Sequence, residues 1–275
     1  MYNRQKLLLQ AIGKISQKRP YVRKTYLMKA LFLLKQECKS LVGYDFFPYH
    51  YGPYSQTVYD DFKALEEQNL FSQKNLSLTK EGKELAGILK MDPEVEIKLD
   101  KIIAEFANMG QIKGYVYANY PNYTVRSKEL KRQMPTCNGI YSIGYEGKST
   151  DAFINCLVQN NVSLLVDVRR NAFSMKKGFS KSQLARLLNI AGIRYLHMPE
   201  FGIESKKRKN LDTAEDYNKL FAEYEGELGG KKNELNGLEE LGKNERIALM
   251  CFEADKNCCH RGVISDFLKA EVVHI

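Results

Sequence analysis

Two short runs of consecutive apolar residues, Leu164-Leu165-Val166 and Ile247-Ala248-Leu249-Met250, constrain this chain more than any other feature. A strand with one face in water alternates polar and apolar residues, whereas a central strand covered on both faces has no polar side to show. Around these runs the second half of the chain alternates strand-like and helix-like patterns. Strands are expected over 140–144, 164–168, 195–198, 246–252 and 272–275, and helices over 150–160, 180–191, 214–241 and 262–270. Strand, helix, strand in succession specifies a parallel sheet with right-handed crossovers. The expected fold class is therefore α/β, a C-terminal parallel β-sheet flanked by helices, preceded by a mainly helical domain.

In the first half the periods are helical. Helices are expected over 4–16 and 22–38, each with one apolar face, the second carrying Leu27, Ala30, Leu31 and Leu34 at helical spacing. An aromatic loop with two prolines follows over 46–55, then a third helix with Val58, Phe62, Leu65 and Leu70 in period. A strand-like alternation over 76–79 ends in Thr79, a cap for a fourth helix over 80–90 with Glu81 in its first turn. A further helix over 94–108 leads to tyrosines 115, 117, 120 and 123. Pro135, Asn138 and Gly139 interrupt helical patterning, which divides the chain into domains over 1–130 and 139–275. Helices, a hairpin and a last helix resemble a winged-helix domain, with Leu78-Thr79-Lys80-Glu81-Gly82 entering the final helix. Tyr51-Gly52-Pro53-Tyr54-Ser55 also resembles the Panacea domain of toxin–antitoxin and phage-related proteins.

Charge is unevenly placed. Of the net +9, residues 1–135 hold 22 Lys+Arg against 14 Asp+Glu, and the remainder hold 20 against 19. Nucleic acid is the natural partner of a basic N-terminal domain. The apolar run over 7–12 is short and followed by lysines, unlike a secretory signal, and no stretch approaches the roughly 20 apolar residues that span a bilayer. A cytoplasmic protein with no membrane partner is expected. Cys38, Cys137 and Cys156 stand alone, as small buried residues of a reducing compartment do; only Cys251, Cys258 and Cys259 cluster.

In an open parallel sheet, ligands bind beyond the carboxyl ends of the strands, and polar residues collect there. The first strand ends in Gly144-Tyr145-Glu146-Gly147, the second in Asp167-Val168-Arg169, the third in His197, and the fourth in Cys251-Phe252-Glu253 with Cys258-Cys259-His260-Arg261 before the next helix. Arg169 and Arg261 suggest a cradle for an anion, with Gly144, Tyr145, Glu146 and Cys251 beside it. Asp167 or Glu253 is the candidate general acid or base, and Cys259 or His260 the assisting nucleophile or proton carrier. Lys206-Lys207-Arg208-Lys209 offers to extend the basic surface. Gly147-Lys148-Ser149-Thr150 lacks the earlier glycine of a phosphate loop, since Ser142 stands there. No metal or cofactor is expected: there is no Cys-x-x-Cys knuckle, and the neighbours Cys259 and His260 should point apart.

Ser142-Ile143-Gly144-Tyr145, Leu165-Val166-Asp167-Val168-Arg169, Gly178-Phe179-Ser180, Gly192-Ile193-Arg194-Tyr195-Leu196-His197 and Leu249-Met250-Cys251-Phe252-Glu253 with Cys259-His260-Arg261 together resemble domain of unknown function 488. The resemblance implies a fold and a site at these residues but no reaction. The expected function is an enzyme or ligand-processing protein acting on a phosphate-bearing substrate, nucleotide or nucleic acid, with a nucleic-acid-binding N-terminal domain. Two alternatives stand beside it. One is a DNA-binding regulator whose C-terminal domain senses a small anionic ligand without turnover. The other is a protein-interaction module of a toxin–antitoxin or defence system, using the aromatic segment as its surface.

Overall fold

The computed structural model describes residues 1–19, 23–38, 43–74, 76–130, 135–208 and 213–275, in two compact units, Met1–Gln133 and Met134–Ile275. Val22, the linker positions 131–134, Lys209 and the Arg208 side chain lie outside the described residues. No helix among the described residues is long and apolar enough to cross a membrane.

The N-terminal unit contains α1 (Asn3–Lys18), α2 (Lys24–Glu37), a hairpin of β1 (Phe47–Tyr49) and β2 (Gly52–Tyr54), and α3 (Gln56–Glu67). A second short hairpin follows, β3 (Phe71–Ser72) and β4 (Ser77–Leu78), then α4 (Lys80–Ile88), α5 (Pro93–Glu105) and α6 (Met109–Asn119). The Thr79 cap stands where the sequence places it, and Asp92 adds a second. The Thr79 hydroxyl accepts from the Gly82 amide at 3.0 Å, and Asp92 caps α5 with Pro93 as its first residue.

Two expectations are corrected here. The second helix has no single apolar face: residues 26–34 are all buried, because α1, α5, α6 and β2 pack around α2. Lys29 is therefore enclosed, with its ammonium donating to the Tyr51 carbonyl, and burial lowers its pKa to about 8. The aromatic loop is a hairpin in which Phe46 and Phe47 are buried, so this segment mostly fills the core; Tyr51 at its tip is exposed.

The C-terminal unit runs β5 (Gly139–Gly144), α7 (Thr150–Gln159), β6 (Leu164–Asp167), α8 (Lys181–Ile190), β7 (Arg194–His197), α9 (Ala214–Gly229), α10 (Lys232–Asn244), β8 (Arg246–Cys251), α11 (His260–Phe267) and β9 (Val272–His274). The five strands form one parallel sheet in the order β7-β6-β8-β5-β9. The apolar runs of β6 and β8 lie side by side near its middle, and every residue of β6 is buried. The helix expected over 214–241 is broken at Gly229-Gly230 into α9 and α10, since glycine carries the highest entropic cost in a helix interior.

Strand alternation then sorts the carboxyl edge into two sides. Leu164, Val166 and Val168 pack with Ile247, Leu249 and Cys251 into one core with residues of α9, α10 and α11. Asp167, one residue out of step with Val166, points to the opposite face of the sheet.

Candidate functional site

On that opposite face, Asp167 is fully buried and accepts from Arg169 twice through the side chain, Nε to Oδ1 at 2.8 Å and Nη2 to Oδ2 at 2.6 Å. The Arg169 amide adds a bond to Oδ1 at 3.1 Å, and the Tyr195 hydroxyl donates to Oδ2 at 2.6 Å. Arg169 spends its remaining donors on the Tyr145 hydroxyl at 2.9 Å and the Phe179 carbonyl at 3.0 Å. Burial works against the guanidinium charge, but the hydrogen bonds and charge of Asp167 outweigh it and raise the Arg169 pKa. Burial and the same carboxylate raise that of Tyr195, keeping it a neutral donor. His197 Nε2, 2.9 Å from the Arg169 carbonyl, holds the backbone of the same turn. Asp167 and Arg169, expected as acid or base and as anion clamp, are thus placed as a brace that ties the loop after β6 to β5, β7 and the start of α8.

Arg261 is placed in the same way on the other face. Its two Nη atoms donate to the carbonyls of Glu253 and Ala254, the second at 2.8 Å, while its buried Nε has no partner among the described residues. Glu146 accepts from the Ala254 amide at 2.9 Å. Gly144 is required by this packing, because a Cβ there would lie 1.9 Å from the Glu253 carbonyl oxygen. Both arginines and Gly144 therefore serve the loop between β8 and α11 or its counterpart after β6.

That loop starts α11 at His260, two residues earlier than the sequence pattern suggests, with Cys259 at the N-cap. Cys259 and His260 do not point apart. The His260 Nδ1 is 3.6 Å from Cys251 Sγ and 3.9 Å from Cys259 Sγ, because the extended backbone at Cys259 turns its thiol under the first helical turn, beside the end of β8. The three ligand atoms all lie within 4.8 Å of one another and could hold a metal ion. Glu253 joins them, with Oε2 3.2 Å from Cys251 Sγ. His260 Nε2 donates to the Val168 carbonyl at 3.1 Å, which turns Nδ1 toward the two sulfurs. Burial favours the neutral thiol at Cys259, but its hydrogen bonds with Cys251 and His260 outweigh this and lower its pKa to about 6. Cys259 also lines a cavity of about 270 Å³ with Asn218, Phe221, Glu225, Lys256 and Asp266.

The carboxyl edge thus brings the ten candidate residues together in two groups, one around Asp167 and Arg169 with Tyr145, the other around Cys251, Glu253, Cys259, His260 and Arg261. Sequence reasoning missed the parts that complete them: Tyr195, and the carbonyls of Val168, Phe179, Glu253 and Ala254. It also missed the exposed side chains on the loops above, Phe173, Met175 and Phe252, of which Phe252 meets the Tyr145 ring edge-on at 5.2 Å. Lys206 and Lys207 of the basic run are ion-paired with Glu204 and Glu227.

No curated protein matches the chain. Residues 149–268, which span α7 to α11 and include both groups except the residues of the first strand end, match the family model described as Domain of unknown function DUF488.

Proposed function

We propose that the C-terminal domain binds and processes a nucleotide or a nucleic-acid strand at the carboxyl edge of its sheet, with the basic N-terminal domain adding contacts to the polyanion. The observation that carries this is that exposed Phe173, Met175 and Phe252 occur on the same loops, after β5, β6 and β8, as Arg170, Lys177 and the half-buried Lys148 and Lys176, which donate to the Gly144 and Tyr145 carbonyls. Exposed phenylalanine rings on loops that also carry cations suit a ligand with bases to stack and phosphates to neutralise. The Cys251–Cys259–His260 cluster, at the two ends of the loop that carries Phe252, is the candidate source of reactive groups. In the N-terminal unit, α3, the β3–β4 hairpin and α4 support a winged-helix arrangement, and the net positive charge of residues 1–135 supports a polyanionic partner.

Fluorescence anisotropy of the full chain with a labelled single-stranded oligonucleotide tests this. Binding that weakens steeply with salt is expected. Stacking contributes about 1–3 kcal/mol per base, so Phe173→Ala with Phe252→Ala should lower affinity at least about tenfold with the circular dichroism unchanged. Absence of binding to oligonucleotides and to mononucleotides at low salt would refute it. Mass spectrometry of the ligand after incubation reads turnover; binding without any change in the ligand is the behaviour of a ligand-sensing DNA-binding regulator.

A further inference from the structure

We infer that Cys251, Cys259 and His260, with Glu253 beside them, form a binding site for a divalent cation of the zinc class. The inference is independent of what the loops with exposed phenylalanines bind. In a tetrahedral zinc site, bonds of about 2.3 Å to sulfur and about 2.0 Å to nitrogen place neighbouring ligand atoms roughly 3.5–3.8 Å apart. The two sulfur-to-nitrogen separations are 3.6 and 3.9 Å, and all three ligand atoms fall within 4.8 Å. Three corners of such a tetrahedron therefore stand in place. The Glu253 carboxylate, 3.2 Å from Cys251 Sγ, is in reach of the fourth, either directly or through a water.

The imidazole is set as a ligand. Its Nε2 proton is held by the Val168 carbonyl at 3.1 Å, which fixes the tautomer and the ring plane, as outer hydrogen bonds do for metal-bound histidines. Donor chemistry selects the ion: two thiolates and an imidazole suit zinc and reject magnesium and calcium, which require oxygen. Charge supports occupancy in a buried place. Cys251, Cys259 and His260 are at most 2% exposed, and two thiolates with a dication sum to zero, which avoids the cost of enclosing an uncompensated charge; Glu253, which would add one negative charge, is only half-buried. The separation in sequence, Cys251 on β8 and Cys259-His260 at the start of α11, means that one ion would join the sheet to the helix through the loop that Arg261 braces.

The test uses the full chain, purified without chelator. Elemental analysis should find one zinc per chain. After chelation and reduction, titration with cobalt(II) should give the visible bands of a tetrahedral site and thiolate-to-cobalt charge transfer, saturating at one equivalent. Cys259→Ser, Cys251→Ser and His260→Gln should each weaken cobalt binding at least tenfold, while Cys258→Ser should leave it unchanged. The wild-type titration decides the matter even where a variant fails to fold. A reduced, folded chain that takes up no zinc and gives no thiolate–cobalt spectrum would overturn the inference. So would full-strength cobalt binding in folded Cys259→Ser, or a spectrum that Cys258→Ser abolishes.

Discussion

Asp61 and Asp167 sit in different units, yet each is a buried carboxylate gripped by one arginine and one tyrosine. Asp61 accepts from Arg4 Nε at 2.7 Å, Tyr44 at 2.9 Å and Gln5 at 2.8 Å; Asp167 accepts from Arg169 and Tyr195. The difference lies in the arginine. The Arg4 side chain is 27% exposed and keeps water on one side, whereas that of Arg169 is 7% exposed and has its other donors bound to Tyr145 and the Phe179 carbonyl. The same three side chains hold helices together in one unit and shape a strand-end loop in the other. A buried aspartate at a strand end is thus no mark of catalysis by itself, and the candidate chemistry moves to the sulfur and imidazole cluster on the far side of the sheet.

Removal of each carboxylate should magnify that difference. Asp167→Ala leaves Arg169 buried without its counter-charge, a change that costs about 3–5 kcal/mol. Asp61→Ala should cost less, about 2 kcal/mol, because Arg4 can turn to solvent and only Tyr44 and Gln5 lose a buried acceptor. Urea unfolding followed by circular dichroism measures both; equal losses would remove the distinction between the two sites.

Lys29 sharpens the comparison from the other direction, since it is a buried charge with a backbone carbonyl as its hydrogen-bond acceptor and, among the described residues, no carboxylate bonded to it. Its folded pKa of about 8 lies below the unfolded value of 10.5, so the folded state gives up the proton first. Stability linked to this group is fully present above pH 10.5 and lost as the pH falls through about 8. Lys29→Met should therefore stabilise the chain at neutral pH by about 2 kcal/mol after the loss of one hydrogen bond, with the advantage fading between about pH 8 and 10.5. A variant that is less stable than the parent at pH 7 would show that the ammonium is held by more than Tyr51.

Much of the C-terminal fold was legible because apolar runs and turn residues repeat in order: all five strands lie within a residue or two of their expected places. The N-terminal unit was harder. Gly110, Gly114 and the tyrosines conceal the helical period of α6, and two-sided burial of α2 depends on partners far along the chain. Pro48 and Pro53 conceal a hairpin in which they stand opposite each other. For the site, the ends of the strands were legible, while the pairing of Asp167 with Arg169, two residues apart, replaces the separate roles expected of them. Counting alternate residues from Val166 and Leu249 would also have placed Asp167 and Cys251 on opposite faces. The convergence of Cys259 and His260 on Cys251 was not legible, since it depends on the path of residues 252–259, which Gly144 and Arg261 fix by contact rather than by sequence pattern.

A double-mutant cycle at Asp167 and Arg169 tests most directly whether this pair is a structural brace. The singles Asp167→Leu and Arg169→Met and the double variant would be compared by urea unfolding. The account predicts that each single variant loses several kcal/mol, that the double variant recovers much of the loss, and that the coupling reaches about 3 kcal/mol. Additive losses, with a coupling near zero, would contradict it.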